Sequence, residues 1–204
     1  MINKRKKHFT HNGVKVLRSN HRDIRRLKNT YKPALHGFRV WPSSWLLMDY
    51  FMRSRFEPNL RIIEIGCGWG IAGISCVKNF NSMVTCVDSD SAVFPYVNLH
   101  AKINDVTVTT MQSDFDDLGG SFMENTDILI GSDICFWDNM VDTVITLILR
   151  ALQNGVKKII IADPGRCTFE RMGEYFLSDG RGEIINRDIS LPYNIQGRIL
   201  TVTA

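Results

Sequence analysis

From about residue 60 onward, the sequence alternates short apolar runs rich in β-branched residues with longer segments of helical periodicity. This alternation predicts a parallel sheet with helices on both of its faces. The predicted strands cover residues 61–65, 83–87, 106–111, 127–132 and 158–162. The predicted helices between and after them cover residues 71–79, 92–103, 140–152 and 169–177.

The end of the chain follows a different pattern. Residues 183–188 and 198–203 read as two strands joined by a turn near Pro192 and Asn194, with no helix between them. Two consecutive strands with a short connection predict an antiparallel hairpin. The expected fold is therefore α/β and doubly wound, with a mostly parallel seven-stranded sheet and a terminal antiparallel hairpin. A helix predicted over residues 40–53 should pack over this sheet.

A chain of 204 residues with 44% hydrophobic content can bury one core. We expect a single domain over residues 40–204, preceded by a basic N-terminal arm over residues 1–39. Residues 4–32 hold eleven Lys and Arg residues against the single acid Asp23. Such an arm could bind an acidic partner such as RNA, a lipid surface or an acidic protein face. The favoured alternative is a solvated, partly disordered leader, because only Phe9 and Tyr31 are interleaved among these cations as aromatic residues that could stack bases.

The apolar runs and the cysteines of the sequence bear on where the protein is found in the cell. No apolar run approaches the roughly 20 residues that a membrane-spanning helix needs. The five cysteines are widely spaced and form no C-x-x-C pair, which is typical of free thiols in a reducing compartment. We expect a cytoplasmic monomer without a metal site and without a membrane span.

The most informative segment is EIGCGWG at residues 64–70, which lies directly between a predicted strand and a predicted helix. Glycines there let the backbone turn sharply and approach a ligand closely. One interpretation is the dinucleotide pattern G-x-G-x-x-G at residues 68–73, with Asp88 about 20 residues beyond it. In that motif the first glycine follows the strand at once. Here Gly66 holds that position, so the dinucleotide match is out of register.

The other interpretation uses Glu64, Gly66, Gly68 and Gly70, which resemble the E/D-x-G-x-G-x-G motif of class I methyltransferases. This resemblance implies a Rossmann-like methyltransferase fold with S-adenosylmethionine as the cofactor. The acid suits that cofactor, because a sulfonium with an ammonium group is attracted by negative charge that would repel a pyrophosphate. We favour this interpretation, and a purely structural glycine turn ranks below both.

Two further acids follow predicted strands at the same edge of the sheet. Asp88 ends the second strand, where a carboxylate can accept hydrogen bonds from both ribose hydroxyls. Asp114 follows the third strand, where the resemblance implies contact with the adenine amine, although an acid there can also be an ordinary turn residue. Together with Glu64, acids end three successive strands, which favours a cofactor site along this edge.

Three shorter strings narrow the resemblance. They are Trp41-Pro42, then DICF at residues 133–136, and ADPGR at residues 162–166. They are similar to the methyltransferases that modify protein lysines, a group whose substrates include calmodulin and the electron-transfer flavoprotein beta subunit. The resemblance implies that Trp41 and the backbone of Ser132 contact the cofactor. It also implies a protein substrate, whose target amine enters past Asp133 and Phe136.

Asp133 lies between an apolar strand and an aromatic pair, with no evident partner among its sequence neighbours. We predict that it orients the amine through a hydrogen bond, while Phe136, Trp137 and Trp41 form an apolar channel that favours the uncharged amine. In the alternative interpretation the aromatic residues belong to the core, and Asp163 with Arg166 forms only a salt-bridged turn.

Three functions stay open at this point. A protein-lysine methyltransferase ranks first, and a methyltransferase acting on RNA or on a small-molecule amine ranks second. The third is an NAD-dependent oxidoreductase or a binding module without catalysis. Base-amine methyltransferases typically carry an N-P-P-Y-like string after the fourth strand, where this chain has SDICFW at residues 132–137.

Overall fold

A computed structural model describes residues 8–34, 36–190 and 192–204 of the chain. The strands are β1 (His8–His11), β2 (Val14–Leu17), β3 (Arg61–Ile65), β4 (Met83–Asp88), β5 (Thr109–Gln112), β6 (Ile128–Ser132), β7 (Lys158–Asp163), β8 (Gly182–Ile189) and β9 (Ile195–Thr203). The helices are α1 (Arg22–Thr30), α2 (Pro42–Arg53), α3 (Ile71–Phe80), α4 (Phe94–Ile103), α5 (Met140–Gln153) and α6 (Cys167–Ser178).

Strands β3 to β9 form a seven-stranded sheet in the order β5-β4-β3-β6-β7-β9-β8. The first five strands in that order pair in parallel, and β9 runs antiparallel between β7 and β8. The order reverses its direction between β3 and β6, and in such sheets ligands bind outside the carboxyl ends of the strands at this point. The predicted fold class is confirmed.

Two hydrophobic cores cover the two faces of the sheet. One contains buried residues of α2, α3 and α4, and it extends to β2 and to Ile24 of α1. The other contains buried residues of α5 and α6, such as Leu147 and Phe169. The central strands β3, β6 and β7 place buried apolar residues in both cores, as expected for parallel strands that helices cover on both faces.

Four of the five predicted parallel strands agree with the structure to within one residue at each end. The exception is β5, which begins at Thr109 instead of residue 106. Its ladder to β4 starts with the pair Thr85 and Thr109. Val106 and Val108 are half-buried against the core before this pairing begins, so their apolar character reflects packing and not strand pairing.

The expectation of a solvated, partly disordered leader is wrong for residues 8–34. Strands β1 and β2 form a hairpin whose turn residues Asn12 and Gly13 have φ values of 46° and 77°. Val14 and Val16 alternate with exposed residues and are buried in the core. The first seven residues of the predicted arm lie outside the described residues, and a domain boundary at residue 40 stays a prediction.

Two side chains of α4 and the turn after it hold the hairpin in place. The Asn104 side chain accepts a hydrogen bond from the Lys15 amide at 2.7 Å and donates one to the Lys15 carbonyl at 2.8 Å. The Nε2 atom of His100 accepts a hydrogen bond from the Leu17 amide at 3.2 Å. Burial lowers the pKa of His100 to about 4, so the ring is neutral near pH 7 and can serve as this acceptor.

All five cysteines are free thiols, and Cys167 is exposed whereas the other four are buried. Desolvation by burial raises the pKa of Cys67 and Cys76 well above the ordinary value. Among the described residues, no helix is both long and apolar enough to cross a membrane.

Candidate functional site

An open cleft lies at the carboxyl ends of β3 and β6. It is lined by Arg39, Val40, Trp41, Ser44, Gly66, Cys67, Gly68, Trp69, Ile71 and Ser132. Four of the predicted cofactor-binding residues are in this lining, namely Trp41, Gly66, Gly68 and Ser132. The structure thus brings together residues that are more than 90 positions apart in the sequence.

The glycine turn has the backbone that its sequence predicts. Gly66, Gly68 and Gly70 have φ values of 55°, 51° and 67°, in the left-handed region that favours glycine. A Cβ on Gly66 would lie 2.8 Å from the Cγ2 atom of Ile134, which is too close. A Cβ on Gly68 would meet nothing within 4 Å. The Gly68 backbone therefore faces open space that a ligand can occupy.

Glu64 lies beneath this turn and is not part of the cleft lining. Its side chain is buried, and its Oε2 atom accepts hydrogen bonds from the Gly73 amide at 3.0 Å and from the Cys86 thiol at 3.6 Å. Desolvation raises the pKa of Glu64 to about 7, against the opposing effect of these hydrogen bonds. The carboxyl group thus binds an amide near the N-terminus of α3, where such groups otherwise lack a partner.

Asp88, at the end of β4, also binds the glycine turn through its side chain. Its Oδ2 atom accepts a hydrogen bond from the Gly68 amide at 3.0 Å, and its Oδ1 atom accepts one from the Asp90 amide at 3.0 Å. Desolvation raises its pKa, although both hydrogen bonds oppose this. A carboxylate has about four acceptor positions, so Asp88 retains capacity for ligand hydroxyls next to Gly68.

Asp114 is exposed and lies two residues beyond β5, outside the cleft lining. The following residue, Phe115, is closer to the turn, since its ring reaches within 3.8 Å of the position that a Cβ of Gly66 would take. At the end of β5, the side chain nearest the glycine turn is therefore apolar.

Asp133 follows β6 and is 4% exposed. Its carboxylate has two partners in the structure. Its Oδ2 atom accepts a hydrogen bond from the Ser43 amide at 3.0 Å, and its Oδ1 atom lies 2.8 Å from Nη1 of Arg166. Both partners come from distant parts of the chain, so sequence neighbours could not indicate them. Its φ of 54° is unusual for a residue other than glycine, and such backbone strain is concentrated at functional sites.

Arg166 bridges two buried carboxylates. Its Nη1 atom lies 2.5 Å from Oδ2 of Asp163 as well as 2.8 Å from Oδ1 of Asp133. Asp163 also accepts hydrogen bonds from the amides of Gly165 and Arg166, and desolvation raises its pKa. The salt-bridged turn considered for Asp163 and Arg166 is present, and it extends to Asp133.

An aromatic group at one side of the cleft, here called the mouth cluster, consists of His36, Phe38, Trp41, Phe136 and Trp137. The ring of His36 stacks on Phe136 with centroids 4.6 Å apart and an interplanar angle of 14°. Trp41 lies 5.3 Å from Phe136, and Trp137 lies 5.3 Å from His36. The three aromatics proposed for the channel are thus close together. The guanidinium of Arg166 lies 4.3 Å from the Phe136 ring centroid.

Sequence reasoning missed His36 and Trp69. His36 falls in the segment expected to be a leader, and its left-handed φ of 49° leaves no mark in the sequence. Trp69 stands between two glycines of the turn, and this position could have marked it as part of the site. It is 3% exposed, and its ring stacks on Tyr96 and on His100 with centroids 5.2 Å apart in each case.

Comparison with known proteins agrees with this description. The sequence model of a family described as lysine methyltransferase matches residues 22–178. The electron transfer flavoprotein beta subunit lysine methyltransferase of Xenopus laevis is 22% identical over 153 residues, which cover 70% of this chain and 61% of that protein. The protein of the same name from Danio rerio is 21% identical over 131 residues, covering 64% of this chain and 50% of that protein. The chain therefore spans half to three fifths of these relatives.

Solved structures share the fold. Precorrin-6y C5,15-methyltransferase from Geobacter metallireducens superposes with a TM-score of 0.58 at 14% identity, over 85% of this chain and 94% of that one. The human methyltransferase 10 domain containing protein superposes with a TM-score of 0.60 at 11% identity, over 87% and 92% of the two chains.

The sheet order, the glycine turn directly after β3 and these comparisons define a class I S-adenosylmethionine-dependent methyltransferase. They support this class over the NAD-dependent oxidoreductase considered from residues 68–73. Within the class, the chain belongs to the lysine methyltransferase family.

Proposed function

We propose that this enzyme transfers a methyl group from S-adenosylmethionine to the side-chain amine of a lysine in a protein substrate. One observation carries the proposal. Trp41 lines the cleft and also contacts Phe136 of the mouth cluster, so an acceptor that passes the aromatic rings arrives beside the cofactor. The names of the relatives support a lysine acceptor. A cytoplasmic, monomeric protein is part of the same proposal.

The residues of the cleft fit this cofactor. The open space at Gly68 admits a ligand to the backbone, Asp88 offers acceptors to the ribose, and Trp41 and Ser132 line the opposite side. Asp114, exposed beyond β5, is proposed for the adenine amine. When bound, S-adenosylmethionine supplies an electrophilic methyl carbon on a sulfonium. Glu64 and Gly70 would act indirectly, by fixing the shape of the turn.

The chain's own residues must deliver a neutral amine in line with the methyl carbon. Phe136, Trp41 and Trp137 would surround the target side chain, and the loss of water around an ammonium lowers its pKa and favours the uncharged amine. Asp133 would act chiefly as a positioning residue, because its two oxygens already contact Ser43 and Arg166. Through Ser43 it holds the start of α2, the helix that follows Trp41. Through the ion pair it holds the guanidinium of Arg166 beside the ring of Phe136.

Calorimetric titration with S-adenosylmethionine, and separately with NADH, tests the cofactor. Cell extract incubated with enzyme and labelled methyl donor then tests the acceptor, with mass spectrometry to locate methyllysine. We expect binding of S-adenosylmethionine alone and label on protein lysines. Binding of NADH alone would overturn the methyltransferase, whereas label found only in RNA or in small amines would overturn the lysine acceptor.

Variants of Asp133 test its role. Asp133→Ala should lower kcat far more than it weakens S-adenosylmethionine binding, and Asp133→Asn should restore part of kcat, because its amide oxygen can still accept the Ser43 hydrogen bond. Equal losses of kcat and of cofactor affinity in both variants would contradict the positioning role.

A further inference from the structure

We propose that the basic face of α1 docks an acidic surface of the protein substrate next to the cleft, an inference that rests on the proposed lysine methyltransferase function. This face, here called the basic strip, consists of Arg22, Arg25, Arg26 and Lys28 of α1 and continues to Lys32 just beyond the helix. The strip would orient the substrate, while the mouth cluster receives its lysine.

The positive charge of the basic strip is largely open to solvent. Arg25, Arg26 and Lys32 are exposed, and the side chain of Arg22 is 88% exposed. The acid Asp23 contacts Arg22 and His21. In the part of the chain that the structure describes, the ion pairs do not include Arg25, Arg26, Lys28 or Lys32. Their charges therefore remain available to a partner.

Backbone contacts place the end of the strip at the edge that carries the cleft. The Tyr96 hydroxyl donates a hydrogen bond to the Tyr31 carbonyl at 2.9 Å, and Asp90 accepts one from the Ala34 amide at 2.6 Å. Lys32 lies between these two anchors, and Asp90 follows β4 at the carboxyl edge of the sheet. His36, a few residues after Lys32, is the first residue of the mouth cluster along the chain.

The mouth cluster adds apolar anchors to this charge. Phe38 is 45% exposed and Trp137 is 50% exposed, and exposed aromatics next to arginine are typical of the energetically dominant residues of protein interfaces. Arg39 contacts Trp41 and is itself exposed. Positive charge and exposed rings at one edge suit an acidic protein surface around a lysine.

Two other partners fit the strip less well. A membrane-binding helix presents apolar residues to the lipid, but Ile24 of α1 is fully buried in the core and Leu27 packs against it. Single-stranded nucleic acid is bound largely by stacking on several aromatic residues, and residues 22–32, which carry the basic strip, hold a single aromatic ring, that of Tyr31. An acidic protein surface needs only the exposed cations.

The test uses fluorescence anisotropy of the full chain with a labelled peptide of alternating Glu and Gly residues, and with a matched peptide of Gln and Gly. The variant Arg25→Glu/Arg26→Glu reverses two charges of the strip. The control Arg55→Glu/Lys102→Glu reverses two exposed cations that precede β3 and β5, at the opposite edge of the sheet. Calorimetry with S-adenosylmethionine checks that both variants retain the cofactor site.

We expect the Glu peptide to bind, the Gln peptide not to bind, and the strip variant to bind the Glu peptide about tenfold more weakly at low salt. The control should retain the affinity of the wild type. If the strip variant does not fold, Arg25→Gln/Arg26→Gln should show a smaller loss in the same direction.

Equal losses in strip variant and control, or no binding of the Glu peptide, would overturn the docking proposal. Tighter binding to an oligouridine RNA or to phosphatidylserine vesicles than to the Glu peptide would also overturn it. The peptide assay requires no methyl transfer. Failure of the lysine methyltransferase function would therefore appear separately, as absent methyllysine with peptide binding intact.

Discussion

The indole Nε1 atom of Trp69 donates a hydrogen bond to the carbonyl oxygen of Gly37 across 2.9 Å. Trp69 belongs to the glycine turn, and Gly37 belongs to the segment that leads into α2. The neighbouring carbonyl of His36 accepts a hydrogen bond from the Trp41 indole at 2.8 Å. The shape of the glycine turn and the placement of the mouth cluster are therefore fixed by adjacent contacts.

The substitution Trp69→Phe should loosen both the glycine turn and the attachment of the segment that leads into α2. Phenylalanine keeps a ring against Tyr96 and His100 but loses the hydrogen bond to Gly37 and part of the packing. We expect the free energy of unfolding to fall by about 1–3 kcal/mol and the affinity for S-adenosylmethionine to fall with it. Trp45→Phe is the matched control, because Trp45 is equally buried but lies outside the cleft lining. Equal cofactor affinity in both variants would contradict a role of Trp69 in the site.

Gly68→Ala should separate cofactor binding from folding. The new Cβ meets no protein atom within 4 Å, so the only cost to folding is the left-handed φ of 51°, about 1–2 kcal/mol. The same Cβ enters the space proposed for the cofactor, and we expect a loss of affinity on the order of tenfold or more in calorimetry.

Gly180→Ala is the control for backbone strain alone. Gly180 has a φ of 74° and equally open surroundings, but it lies between α6 and β8. It should lose similar stability and no affinity for S-adenosylmethionine. A Gly68→Ala protein with wild-type affinity would show that the cofactor does not approach this part of the turn.

Glu64→Gln should change the pH dependence of stability. Burial raises the pKa of Glu64 from 4.5 to about 7, so the native state holds its proton more tightly than the unfolded chain. The resulting stabilisation is complete below pH 4.5 and is lost as the pH rises to about 7, by roughly 3 kcal/mol. Glutamine does not ionise and should remove this slope. Urea unfolding between pH 4.5 and 8 measures it, and parallel curves for the two proteins would contradict the assignment.

Arg166→Met should strongly destabilise the protein, because it leaves Asp133 and Asp163 buried without their shared cation. We expect a loss of about 3 kcal/mol or more in urea unfolding at pH 7. Arg171→Met removes an arginine from an exposed pair with Asp138 and should cost less than about 1 kcal/mol. Similar losses in the two variants would show that the bridge contributes no more than a surface ion pair.

The fold of the sheet could be predicted because its signals are local. Each parallel strand is an apolar run of its own, and the helices between them have their own periodicity. The hairpin of β1 and β2 could also have been found, since Asn-Gly between two short alternating segments is a strong hairpin signal. The positive φ values of Asn12 and Gly13 are what that dipeptide permits. The prediction of a leader was based on the high charge of the surrounding residues instead.

The site was predictable only where backbone geometry demanded particular residues. Gly66 and Gly68 could be identified because the turn requires positive φ angles, which glycine adopts at a lower energetic cost than other residues. The partners of Asp133 were not, because Ser43 and Arg166 reach it only after α2 and the loop beyond β7 have packed together. For the same reason, the sequence could place Glu64 at the turn but could not show that its carboxyl group faces α3 and not the cleft.

The stack of Trp69 with Tyr96 and His100 has a thermodynamic consequence. Each of these rings makes one hydrogen bond to the backbone of the N-terminal segment, at Gly37, Tyr31 and Leu17 respectively. Trp69 is also part of the glycine turn, so we expect docking of the segment and occupation of the cleft to be linked equilibria. If docking of the segment raises the affinity of the cleft for the cofactor by some factor, binding of the cofactor must favour docking of the segment by the same factor. A ligand that stabilises the docked N-terminal segment would therefore raise the affinity for the cofactor without contacting the cofactor.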